Sequence, residues 1–140
     1  MTDFDLSQFD TRSSANEGAW LHLRNPFNLS EPLFYKEKPI RIRLLGKDSD
    51  KFKKQSAAAT NLRLKEQSKG RGASLTTEQL EAETLSLLAV CSMEWENIIL
   101  DGEELPLSVD NARLFYKRFP AFKEQADDFI GARENFMKTS

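Results

Sequence analysis

The chain has 140 residues, of which 39% are hydrophobic and 30% charged, and its formal net charge is −2. That length fits one domain, and the near-neutral charge creates no long-range field calling for nucleic acid or an anionic membrane. With one histidine and one cysteine, the chain can form neither an intrachain disulfide nor a zinc site of the usual Cys/His type, and no metal or other cofactor is expected.

Residues 1–17 read as a flexible acidic N-terminal arm. Asp3, Asp5, Asp10 and Glu17 stand against Arg12, beside the polar stretch TRSSANEG, a composition with little to bury. Phe4, Leu6 and Phe9 offer a second reading, a short docking turn that orders on a partner. The opening MTDFDLSQFD has neither the basic nor the apolar region of a secretory leader. No apolar run approaches the roughly 18 residues of a membrane span. The expected compartment is therefore a reducing cytoplasm.

Residues 18–140 read as a single α+β domain. Leu21 and Leu23 alternate with Trp20, His22 and Arg24, a period of two that predicts a strand over 19–24. Asn25-Pro26 starts a turn, and Pro32 and Pro39 bracket a short edge segment at Leu33-Phe34-Tyr35. A second strand is predicted over 39–45, with Ile40, Ile42 and Leu44 facing inward and Arg41 and Arg43 outward. The expected sheet is an antiparallel pair or small meander with one wet face, ended by Gly46.

Four helices are then expected. The first, 49–68, has Asp48 or Ser49 as its cap and a thin apolar stripe of Phe52, Ala59 and Leu62. It lies in a basic segment from Lys47 to Arg71 that runs into a glycine-containing loop at 69–74. The second, 76–95, opens on a capping-box pattern at Thr76-Thr77-Glu78-Gln79. Its Leu80, Thr84, Leu87, Leu88, Cys91 and Trp95 recur at helical spacing, which makes it the spine of the core. Asp101-Gly102 marks a tight turn. The third helix spans 109–119 behind Ser108, and the fourth spans 121–138 behind Pro120, with Phe122, Ala126, Phe129, Ile130, Arg133 and Met137 along one stripe. The whole is a small N-terminal antiparallel β-sheet followed by a helical bundle.

The chemistry-bearing residues do not converge. G-x-S-x-G, Walker A, H-E-x-x-H and G-x-G-x-x-G motifs are absent. Neighbouring acids such as Glu103/Glu104 and Asp127/Asp128 do not face each other as an acid/base pair would. His22 reads as a surface histidine, and Cys91 as a small hydrophobe on an apolar stripe. The expectation is a protein that is not an enzyme and acts through its surfaces. The basic segment 47–71 lacks the interleaved aromatics that stack on bases, and a basic helix facing an acidic stripe elsewhere, or on a partner protein, explains it equally well. Phe129, Phe136 and Met137 are the candidates for apolar docking or self-association. Lys51, Lys54, Arg63 and Arg71 are the candidates for electrostatic steering.

Several short motifs occur in a telling order. Leu45-Gly46-Lys47-Asp48-Ser49 follows the strand. Trp95-Glu-Asn-Ile-Ile-Leu-Asp-Gly leads through Pro106 and Ser108 to Asn111-Ala-Arg-Leu-Phe-Tyr, and Asn135-Phe136 comes near the end. Across residues 18–137 this resembles the tail assembly chaperones of long-tailed, siphovirus-like bacteriophages and prophages. The resemblance implies a non-enzymatic protein in the cytoplasm of the bacterial host. Its partners would be the tape-measure protein and/or the tail tube protein, and it would be absent from the mature virion. The family offers no catalytic residue, and many members occur in two lengths through a ribosomal frameshift. Two rival expectations are a virion structural component, such as a connector or tail-completion protein, and a nucleic-acid-binding regulator using segment 47–71.

Overall fold

The computed structural model of the protein describes residues 5–69 and 76–137 and is α+β. In chain order its elements are α1 (Thr11–Glu17), β1 (Ala19–His22), β2 (Arg24–Asn25), β3 (Asn28–Pro32), β4 (Phe34–Tyr35), β5 (Lys38–Pro39) and β6 (Arg41–Leu44). There follow α2 (Asp50–Ser68), α3 (Thr77–Cys91), β7 (Ser92–Glu96), β8 (Ile99–Leu100), β9 (Glu103–Glu104), α4 (Val109–Arg118) and α5 (Pro120–Gly131). Short 3-10 turns at Leu6–Phe9 and Arg133–Phe136 flank this series.

The central strand is β6, with β1 antiparallel on one side and β7 antiparallel on the other. Ile42 and Leu44 point into the core and are fully buried. On the wet face Arg41 pairs with Glu96 at 2.8 Å and Arg43 with Glu94 at 2.7 Å, each directly across the β6–β7 ladder. The Arg41 guanidinium also lies 4.1 Å over the Trp20 ring. Arg43 donates to the Glu17 carbonyl through Nε at 3.1 Å and through Nη2. The predicted division of this strand between a buried aliphatic face and a charged face is what forms.

The predicted strand 39–45 narrows to Arg41–Leu44, and 19–24 breaks at Leu23. Leu23 is buried, and the break lets it bond in two directions: its N–H donates to the Ile40 carbonyl at 2.9 Å, and its carbonyl accepts from Leu33 N–H at 2.9 Å. His22 is half-buried rather than a plain surface residue. Its Nε2–H donates to the Leu33 carbonyl at 2.6 Å, and its ring meets Phe34 edge-on at 4.9 Å.

The helix predicted over 76–95 stops at Cys91, because Ser92–Glu96 joins the sheet as β7. The spacing of Cys91 and Trp95 fits a helix, but Met93 and Trp95 also alternate with Glu94 and Glu96. Two arginines waiting across the ladder decide for the strand. The sheet is therefore completed from the middle of the chain. Within α3 the buried residues are Leu85, Leu88, Ala89 and Cys91, while Leu80 stays exposed. The capping box at Thr76 and Gln79 forms as expected, as do the caps at Ser49 and Ser108.

The arm reading fails for the described part of residues 1–17. Asp10 caps α1 by accepting from Ser13 N–H at 2.9 Å, Ala15 is buried, and Gly18 ends the helix at φ 81°. Arg12 and Asn16 both bond Asp50 at the start of α2. Phe4, from the docking-turn reading, lies outside the described residues.

The last helix is also corrected. Instead of running over 121–138, α5 ends at Gly131, and Ala132 turns the chain into the 3-10 turn. Phe136 thereby folds back onto Phe129, with ring centroids 5.5 Å apart, and is buried. Asn135 Nδ2 donates to the Phe129 carbonyl at 3.0 Å and fixes the turn.

The core joins the inner face of the sheet to α3, α4 and α5. Tyr116 is at its centre, fully buried, with its hydroxyl 2.7 Å from Ser92 Oγ. Phe115 touches the rings of Trp95, Tyr116, Phe119 and Phe122. Cys91 is fully buried, and desolvation pushes its thiol up to about 12. A thiol reagent at neutral pH is expected to leave the folded protein unlabelled and to label it fully in denaturant. Fast labelling of the native protein would contradict this placement.

Candidate interaction surface

A groove of about 770 Å³ opens where the two ends of the described chain meet. One wall is the Leu6–Phe9 turn with α1, and the other is the Arg133–Phe136 turn. The floor is apolar: Ala15, Gly46, Ile130 and Phe136. Phe9, 59% exposed, and Met137, 72% exposed, stand at the mouth. The size is that of sites that enclose a ligand or a few anchoring side chains of a partner.

Glycine at position 46 is what lets the floor close. Its N–H donates to the Ala15 carbonyl at 3.1 Å, and a Cβ there would lie 2.9 Å from Ala15 Cβ and 3.2 Å from the Phe136 ring. The next residues carry the chain along the floor, and Lys47 N–H donates to the Ile130 carbonyl at 3.2 Å. Three segments far apart in sequence thus meet at one residue without a side chain.

The rim is polar and cross-braced. Asp48 accepts two bonds from Arg133, from Nε at 2.6 Å and from Nη2 at 2.9 Å. These bonds hold the Asp48 carboxyl down at about 2, from an ordinary 3.8. Because the folded value is depressed, the pair stabilises the fold fully above the ordinary carboxylate range and is lost as pH falls from about 4 towards 2. Arg133 is more than half exposed, so screening limits the contribution to about 1 kcal/mol. Asp48→Asn is expected to cost that much at pH 7 and almost nothing near pH 2, read from urea unfolding at both pH values.

Of the residues singled out from sequence, Phe136 and Met137 line this groove, and Phe129 packs behind Phe136. The role expected of Phe136 changes: it is buried, so it forms the floor and not an exposed anchor. Phe129, half-buried against the core, supports it. Met137 remains open to a partner.

The steering residues do not converge here. Lys51, Lys54 and Arg63 lie on α2, away from the groove. Lys51 Nζ sits 3.6 Å from Met93 Sδ, and Arg63 pairs with Glu83 of α3 at 3.3 Å. Arg71, with most of the 69–74 loop, lies outside the described residues.

The groove residues Ala15, Gly46, Asp48, Ile130 and Arg133 were not expected to meet. Phe9 carried the one usable signal, as one of the apolar residues, with Phe4 and Leu6, in a mostly polar, acidic segment. Among the described residues no cluster of metal-ligating side chains occurs, and no helix is long and apolar enough to cross a membrane.

No protein-family model, curated protein or solved structure matches the chain. The functional reading therefore rests on geometry and on the motif resemblance. An apolar floor with two exposed apolar side chains at its mouth and an ion-paired rim is suited to gripping the apolar face of a peptide segment.

Proposed function

We propose that this protein is a non-enzymatic tail assembly chaperone of a long-tailed bacteriophage. In this reading it holds an apolar helical segment of the tape-measure protein, or of the tail tube protein, until the tail polymerises. The observation that carries the proposal is the terminal groove, where Phe9 and Met137 are exposed beside a floor built on Phe136. Such a surface lowers the cost of keeping an apolar helix in water by covering one of its faces. The motif order around Trp95–Gly102 and Asn135-Phe136 supports the choice of partner. The protein would work in the cytoplasm of the bacterial host and be absent from the mature virion.

Co-expression with the tape-measure and tail tube proteins, followed by affinity capture of this chain, tests the proposal. Retention of either partner is expected. Stoichiometric amounts of the chain in purified virions, measured by mass spectrometry, would instead make it a structural component.

A further inference from the structure

The α2–α3 hairpin carries a second surface, made of elements that do not line the groove. All of α2 is packed without burying a single residue, although it is 19 residues long. Its neighbour along most of that length is α3. Lys51 reaches Met93 and Arg63 reaches Glu83, so the two helices run antiparallel.

On one face of the hairpin Ala58 and Leu62 of α2 and Ala82 and Leu87 of α3 line a shallow cleft of about 430 Å³. Leu62 is 61% exposed there. Lys51, Lys54, Ala58, Leu62 and Lys65 recur every three or four residues and so form one stripe beside this cleft.

The two helices differ in charge. Three lysines flank the apolar positions of the α2 stripe. By contrast α3 carries Glu78 and Glu81, besides the Glu83 already paired with Arg63, and no basic residue. A partner that covers both helices must present acid over α2 and base over α3, and a second copy of this chain has that pattern by construction.

Symmetry then selects one geometry. A two-fold axis running along the hairpin lays α2 of each copy antiparallel on α3 of the other, so base meets acid at both contacts. A two-fold across the hairpin stacks α2 on α2 and α3 on α3, which opposes like charges.

We propose that this face is a homodimer interface, in which two hairpins form a four-helix arrangement with Leu62 seated in the partner's cleft. The 15 residues of α3 extend about 22 Å. Two helices side by side therefore cover on the order of 450 Å² per copy, at the small end of specific interfaces, and the dimer is expected to be micromolar.

Sedimentation velocity of the full chain, from about 5 to 300 μM at low and high salt, tests this. The expected result is concentration-dependent dimerisation that weakens several-fold on raising salt. Leu62→Glu, at an exposed position, and the double variant Lys54→Glu/Lys65→Glu are each expected to weaken it about tenfold or more. Circular dichroism should show both variants folded. A chain that stays monomeric at 300 μM in low salt overturns the proposal, as does a dimer indifferent to Leu62→Glu or to the charge reversal.

Discussion

Tyr116→Ala is expected to cost about 3–5 kcal/mol, because it empties the centre of the core. The side chain is fully buried, and its ring meets Phe115 at 5.3 Å. Its hydroxyl lies 2.7 Å from Ser92 Oγ, which in turn donates to the Leu88 carbonyl at 2.8 Å. With Ser92 donating to Leu88, the tyrosine hydroxyl is the donor to Ser92. Truncation therefore removes ring contacts and one buried hydrogen bond at the point where α3 becomes β7. Against a typical total stability of about 5–15 kcal/mol, this loss should lower Tm by on the order of 10–20 °C. Tyr116→Phe keeps the ring and should cost only about 1 kcal/mol, since Ser92 retains its bond to Leu88. Urea unfolding of the two variants separates the contributions. A cost below 1 kcal/mol for Tyr116→Ala would contradict the placement of this residue.

Gly46→Ala is expected to destabilise by about 1–3 kcal/mol through overpacking. The new methyl would sit 2.9 Å from Ala15 Cβ and 3.2 Å from the Phe136 ring, so either α1 or the final turn must move. The Arg12–Asp50 pair holds α1 on one side, and the Asp48–Arg133 pair holds the final turn on the other. Neither can retreat without losing an ion pair. Adding Ala15→Gly removes the closest clash at the cost of one helical glycine, roughly 0.5–1 kcal/mol. The double variant should therefore be less destabilised than the sum of its singles, with a coupling of about 1 kcal/mol or more. Strict additivity would show that the three segments do not meet at residue 46.

These two substitutions lie at opposite ends of what could be read from the chain. The core strand was legible because Ile42 and Leu44 alternate with Arg41 and Arg43 over a period that only a half-buried strand satisfies. The helix starts at Ser49, Thr76 and Ser108 were legible because capping is local: a side chain bonds a backbone three residues on. Asp101-Gly102 announced its hairpin, since both residues take positive φ.

Lys36-Glu37 did not announce its own turn. It adopts the same handedness, at φ 48° and 68°, with residue types that do not favour it, and there the ladder between Phe34 and Pro39 imposes the turn. The switch at Ser92 was hidden for a related reason: a four-residue apolar spacing and a two-residue alternation overlap at Trp95, and only the arginines of β6 separate them. The groove was least legible. It depends on Ala15, Gly46 and Phe136 meeting, and no local pattern encodes a contact among three distant segments. Met137 stands out along the chain as an apolar residue, whereas nothing local marks Phe136 beside it as the floor.

In the proposed function the protein grips an apolar segment in this groove. Affinity capture of co-expressed tape-measure and tail tube proteins by the wild-type chain and by Met137→Asp is the decisive test. Met137 is 72% exposed, so this variant should fold and unfold as the wild type does. The wild type is expected to retain one of the two proteins, and the variant to lose at least tenfold in capture. Equal capture by both chains, or capture by neither, would contradict it.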